Sequence, residues 1–239
     1  GHFDWYVSQV WSATNPNWTG NHLYLNNGVG DHTYTVIQDE LGPLDFGGWG
    51  WGTMIVDFNH DERQDIIEVN GFDGFNYVGE QAYLWVQAPN GTFVEVSANA
   101  FFNYGSDGRG VALFDYDNDV DMDFIIANHD EPATLWRNDM LDPIDETDSE
   151  GYALRIFLDT TNDPGLAPMG IGSRVIVQTA TATQHFYHGA KNTMGSQSEL
   201  STFAGLGDNA TANVTVEWTD GTTTVVSNVV LSHAAHVVR

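Results

Sequence analysis

Two acidic runs, Asp57, Asn59, Asp61 and Asp65, and then Asp115, Asp117, Asp119, Asp121 and Asp123, set oxygen side chains on alternate positions of two nine-residue segments. Such oxygens are hard donors, and a loop offering them at positions 1, 3, 5 and 9, with the position-7 carbonyl, can wrap one calcium ion, which takes about six to eight oxygens. This spacing assigns Asp57, Asn59, Asp61 and Asp65 as side-chain ligands of the first loop and the Arg63 carbonyl as its main-chain ligand. In the second loop the side chains are Asp115, Asp117, Asp119 and Asp123, and the carbonyl is that of Asp121. The competing reading is a pair of solvated acidic turns. Four carboxylates this close repel one another without a cation, so the metal-free second loop should be disordered or partly protonated. The expected cofactor is Ca²⁺, in up to two sites, with a structural role. At a Kd a hundredfold below ambient calcium, occupancy would stabilise the fold by about 2.7 kcal/mol.

Other reactive groups carry less. His185 and His188 lie three apart in a strand-like run, which puts them on opposite faces. His129, Asp130 and Glu131 read as a polar turn. No nucleophile elbow, phosphate loop or zinc-protease helix occurs, and 33 acidic residues make carboxylate pairs meaningless by chance alone, so no catalytic residue is assigned. Trp49, Trp51, Trp85, Trp136 and Trp218 could stack on sugars, but their place in repeating strand patterns favours core packing. Asn17, Asn90, Asn209 and Asn213 open glycosylation sequons.

The elements that must hold the two loops repeat with them. The segment from Gly50, Trp51 and Gly52 to Asp57 aligns with that from Gly108, Arg109 and Gly110 to Asp115, an offset of 115 − 57 = 58 residues. Residues 66–69 and 124–127 follow the loops as short apolar, β-rich runs, so each loop joins two strands. Residues 83–86 match 134–137, and 92–96 add an alternating strand after the turn at Asn90 and Gly91. About four strands per repeat is the content of a propeller blade. In the same register Asp65 corresponds to Asp4, which makes Gly1 position 6 of a third loop whose first five positions would precede residue 1; a longer parent protein is the expectation. Residues 1–139 thus read as repeats, the first cut at its loop. Residues 140–151 read as an acidic linker, and 152–239 as a second β-domain, with strands over 152–158, 171–179, 183–187, 214–218 and 223–226. So few repeats cannot close a ring of about four to eight blades, so strand edges should need a cover.

The run Val111 to Asp119, followed by Asp123 to Asn128, is similar to an FG-GAP/VCBS repeat. Gly170, Gly172, Ser196 to Leu200, Phe203 to Gly207 and Val214 to Gly221 resemble an ASPIC/UnbV domain. Together they resemble the secreted cartilage acidic protein family and its bacterial relatives. The resemblance implies an all-β chain, a partial β-propeller of the integrin α-subunit type followed by a small β-sandwich-like domain, calcium-loaded and extracellular, with no firmly established reaction. Loop position 6 is usually glycine in that pattern and is Glu62 and Val120 here. Valine in the left-handed region costs on the order of 1–3 kcal/mol, so either the backbone takes another path or metal binding is weakened.

Composition bounds the function. A net charge of −26, with Lys191 as the single lysine, repels nucleic acid and anionic membranes, and no 18-residue apolar span occurs. Low-affinity calcium loops, with Kd of roughly 10⁻⁴–10⁻³ M, fill only in extracellular fluid. The leading expectation is a secreted structural or adhesion module contacting proteins or its own copies. A glycan-binding propeller and an enzyme accessory domain are the alternatives.

Overall fold

The computed structural model describes residues 3–11, 17, 19–28, 30–37, 42–72, 80–100, 102, 104–139, 151–189, 191–230 and 235–238. The expected loop fragment at Gly1 and nearly all of the expected linker, residues 140–150, lie outside these. The chain is all-β, and none of its sheets closes into a barrel.

Three antiparallel meanders follow one another. The first joins β1 (Trp5–Val7), β2 (His22–Asn26) and β3 (Tyr34–Ile37). The second joins β4 (Gly50–Val56), β5 (Asp65–Asn70), β6 (Tyr83–Gln87) and β7 (Phe93–Glu95). The third joins β8 (Gly108–Phe114), β9 (Asp123–Asn128) and β10 (Thr134–Trp136). Strand β5 explains their stacking. All six of its residues are buried; Ile67 and Val69 face a core shared with Val111, Leu113 and Ile126 of the third meander, while Ile66 faces Leu23, Trp85 and Phe93. The four-stranded sheet is therefore covered on both faces at β5, where even Glu68 is buried. β4 and β8 run close together: a Cβ on Gly52 would lie 2.7 Å from the Arg109 carbonyl oxygen.

The C-terminal region is a sandwich. β11 (Tyr152–Asp159) lies between β16 (Thr202–Gly207) and β19 (Ala235–Val238), pairing antiparallel with the first and parallel with the second. The facing sheet has the order β13 (Thr183–Tyr187), β12 (Arg174–Gln178), β17 (Thr211–Glu217), β18 (Thr223–Val230). Leu154, Ile156, Ala204 and Leu206 of the first sheet meet Val175, Val177, Val214 and Val216 of the second. The expected strands at 171–179 and 214–218 are present over narrower or shifted bounds.

Alternation gives the first sheet a second buried face. Phe203 packs into the core of the repeats rather than that of the sandwich. Ala153 follows it. Between β13 and β16 in the chain comes a hairpin of β14 (Asn192–Thr193) and β15 (Ser196–Gln197), which lies along β4 and β8. The Thr53 amide donates to Thr193 Oγ1 at 2.9 Å, Ser196 Oγ donates to the Val111 carbonyl at 2.6 Å, and the Glu199 amide donates to the Leu113 carbonyl at 2.9 Å. The edge of β8, which the sequence leaves open, is thus covered by the chain's own C-terminal domain.

Candidate metal centre

Both acidic segments form the turns expected of them, between β4 and β5 and between β8 and β9. Each keeps the left-handed backbone at position 6 despite lacking glycine: φ is 68° at Glu62 and 77° at Val120, with a second left-handed residue at position 4, His60 or Asn118. Each is also drawn inward by its first and last aspartates. In the first loop, the Asp57 carboxylate accepts the amides of Asp61 (3.0 Å) and Glu62 (2.8 Å), and Asp65 accepts those of Phe58 and Gln87, both at 2.9 Å. In the second, Asp115 accepts the amides of Asn118 (2.7 Å) and Val120 (3.2 Å), and Asp123 those of Tyr116 (3.0 Å) and Asn138 (2.8 Å).

The loops differ in how their remaining ligands are disposed. Asp115, Asp117 and Asp123 bring carboxylate oxygens within 4.8 Å of one another, the one such group found among the described residues. Asp119 and Asp121 stand beside it, joined by an Asp121 amide to Asp119 Oδ1 bond of 2.9 Å. In the first loop Asn59 donates to Asp61 Oδ2 at 2.8 Å, and the Arg63 guanidinium holds the same Asp61 carboxylate. An internal cation thus occupies that loop's position-5 ligand. An ionised carboxylate offers about four acceptor sites, so the convergent aspartates of the second loop retain capacity for an ion. Hard oxygens on a tight loop fit calcium.

Burial raises the carboxyl pKa of several loop aspartates. Desolvation lifts Asp57 to about 8, with the charges of Asp65 and Asp61 adding to it. It lifts Asp65 to about 7 and Asp123 to about 6, each opposed in part by the amides they accept. Asp119 is also pushed upward, first by desolvation. A divalent cation would compensate such a cluster.

The C-terminal domain sits on both loops. Arg155 of β11 donates from Nη1 to Asp115 Oδ2 at 2.7 Å and from Nε to Glu199 Oε1 at 2.7 Å, while its Nη2 holds the other Glu199 oxygen. Over the first loop, the Gly207 amide donates to the His60 carbonyl at 2.7 Å. Gly205 lies against the Asp57 carboxylate, where a Cβ would also fall 2.7 Å from the His60 Cα. Glu62 accepts the hydroxyls of Thr179 and Thr181, each at 2.5 Å. His60 links the two loops, its Nδ1 3.0 Å from the Gly151 carbonyl oxygen and its Nε2 3.5 Å from Asp121 Oδ1.

Spacing within the loops does not reveal Arg155, Glu199, Gly205 or His60 as partners. Arg155 left one trace, a charge inside the apolar run of β11 in a chain with only 7 basic residues. The remaining candidates are scattered. Trp85 is buried with Ile66 and Phe93, Trp218 is buried in the sandwich core, and Trp136 packs on the core that holds Val111 and Ile126; Trp49 stacks on Phe72 at 4.1 Å and Trp51 lies beneath Arg109. His188 is buried and bonded to Thr202 Oγ1, whereas His185 lies on the other face near Arg174. His129 lies 3.4 Å from Asp107. Asn209 Nδ2 is engaged by Thr181 and the Leu206 carbonyl. Among the described residues no helix is long and apolar enough to cross a membrane.

Residues 164–239 match the family model for ASPIC and UnbV. No curated protein matches the chain.

Proposed function

We propose that this chain is a calcium-binding structural module of the extracellular space, whose metal loops stiffen a β-repeat surface for contacts with proteins or with further copies of itself. The observation that carries the reading is the convergence of Asp115, Asp117 and Asp123 beneath the C-terminal domain. An ion there would bind on the N-terminal repeats at the surface that seats the second domain, so its role would be to fix their joint shape. The ligands proposed are Asp57, Asn59, Asp61 and Asp65 with the Arg63 carbonyl, and Asp115, Asp117, Asp119 and Asp123 with the Asp121 carbonyl, the second loop being the better prepared. Low-affinity loops of this kind support an extracellular setting. For contacts with other molecules, the outer face of the first meander supports the reading: Trp5, Val7, Tyr34 and Val36 are exposed there, and none of its three strands carries a charged residue.

Chelation tests this. Removing calcium from the purified protein should lower the melting temperature and open cleavage sites within residues 57–65 or 115–123 to a protease. Unchanged melting in excess chelator, with metal analysis proving removal, would argue against a stabilising ion.

A further inference from the structure

The Arg155 side chain is buried, lies over the Phe157 ring at 4.9 Å, and divides its donors between two carboxylates that belong to different parts of the chain. Nη1 holds Asp115, position 1 of the second loop, and Nε and Nη2 hold Glu199, which follows the hairpin along β8. Its neighbour across the sheet is Phe203, whose ring is seated in the repeat core. The Asp115 carboxylate is therefore shared. Its Oδ2 receives Arg155 and the Val120 amide, and its Oδ1 receives, among the described residues, only the Asn118 amide, which leaves Oδ1 able to accept an ion.

Resting on the calcium reading above, we propose that Arg155 is the positioning residue for Asp115 and couples metal binding at the second loop to the seating of the C-terminal domain. With Glu199 it forms a neutral pair, so it does not substitute for a metal among the remaining aspartates. What it supplies is orientation: a fork held rigidly by one carboxylate presents a fixed donor to the other. When the loop lacks an ion, repulsion between Asp115, Asp117, Asp119 and Asp123 loosens the loop, and the position-1 carboxylate stays on that donor less of the time. When an ion draws the loop together, Asp115 is returned to Arg155, and β11 and β16 are held down with it. Coupling of this kind is reciprocal, so whatever loosens the C-terminal domain weakens the ion's hold by the same factor.

Hydrogen exchange on the full chain, stripped with chelator and titrated with calcium chloride, tests the coupling. Exchange should slow in residues 115–123 and, at the same calcium midpoint, in 152–159 and 202–207. Asp117→Asn removes the charge, though not the oxygen, of an exposed ligand of this loop alone and should move both midpoints together to higher calcium. Arg155→Met should leave a response in 115–123, at a higher midpoint, and abolish that in 152–159. The coupling is overturned if 152–159 ignores calcium while the loop responds, if Asp117→Asn separates the two midpoints, or if 152–159 still follows calcium in Arg155→Met. Should Arg155→Met not fold, the wild type and Asp117→Asn decide the matter between them. A wild-type chain in which no segment responds overturns the calcium reading itself, and this proposal with it.

Discussion

Val120 holds two opposed terms in one side chain. Its φ of 77° costs on the order of 1–3 kcal/mol for a β-branched residue, while its burial in the repeat core contributes about 1.5–3 kcal/mol. The core contact explains why the loop tolerates valine where glycine would relax it. Ordinarily alanine is a milder substitute than glycine; here the order should invert. Val120→Ala loses packing and keeps most of the strain, whereas Val120→Gly loses packing and releases it. Urea denaturation should therefore find Val120→Gly the less destabilised of the two, and a larger loss for glycine would show that the strain is small. The departure from glycine was legible in the sequence, and so was its cost. Its compensation was not, because Val120 packs with residues such as Phe58, which belongs to the other loop.

At the scale of the element, β16 serves two cores by alternation. Ala204 and Leu206 fill the sandwich, and Phe203 and Gly205 face the repeats. Gly205 is a contact residue by virtue of having no side chain: a methyl group would strike the Asp57 carboxylate and the backbone at His60. Gly205→Ala should destabilise by about 1–3 kcal/mol, the usual range for overpacking, and lower the denaturation midpoint accordingly. Gly165→Ala, near which only an Asp163 oxygen at 3.3 Å would be met, serves as the control and should change little. The strands of the second and third meanders and five of the sandwich could be read from apolar runs and turn residues, whereas β2, β3, β16 and β19 were not. Which face of β11 or β16 meets which partner could not, since a strand covered on both sides shows no polar face to orient it. The short β14–β15 hairpin gave no periodic signal at all.

Across the whole molecule, acidity and burial act together. Desolvation lifts Asp57 to about 8, Asp65 to about 7, Glu68 to about 8 and Asp123 to about 6, while in an unfolded chain such groups titrate near pH 4. Between about pH 4 and 8 the native state then holds more protons than the unfolded one, so the stability of the metal-free protein falls as pH rises. Self-repulsion from a net charge of −26 acts in the same direction. In chelator, the melting temperature at pH 5 should exceed that at pH 8.5, and calcium should narrow the gap by replacing protons in the loops. A metal-free protein that melts higher at pH 8.5 than at pH 5 contradicts this. Long-range docking was the least legible feature, as the bonds that seat the second domain span 117 residues between Thr179 and Glu62 and 119 between Thr181 and Glu62.

Phe203 also sets a schedule for biosynthesis. The repeat core that receives its ring has its last buried strand residue at Ile126, so 203 − 126 = 77 further residues must be synthesised before that core can be completed. At about 5–20 residues per second, the nascent repeats wait roughly 4–15 s with an aromatic socket open to solvent. During that interval another chain's phenylalanine, or a chaperone, competes for the place that the protein's own C-terminal domain later fills.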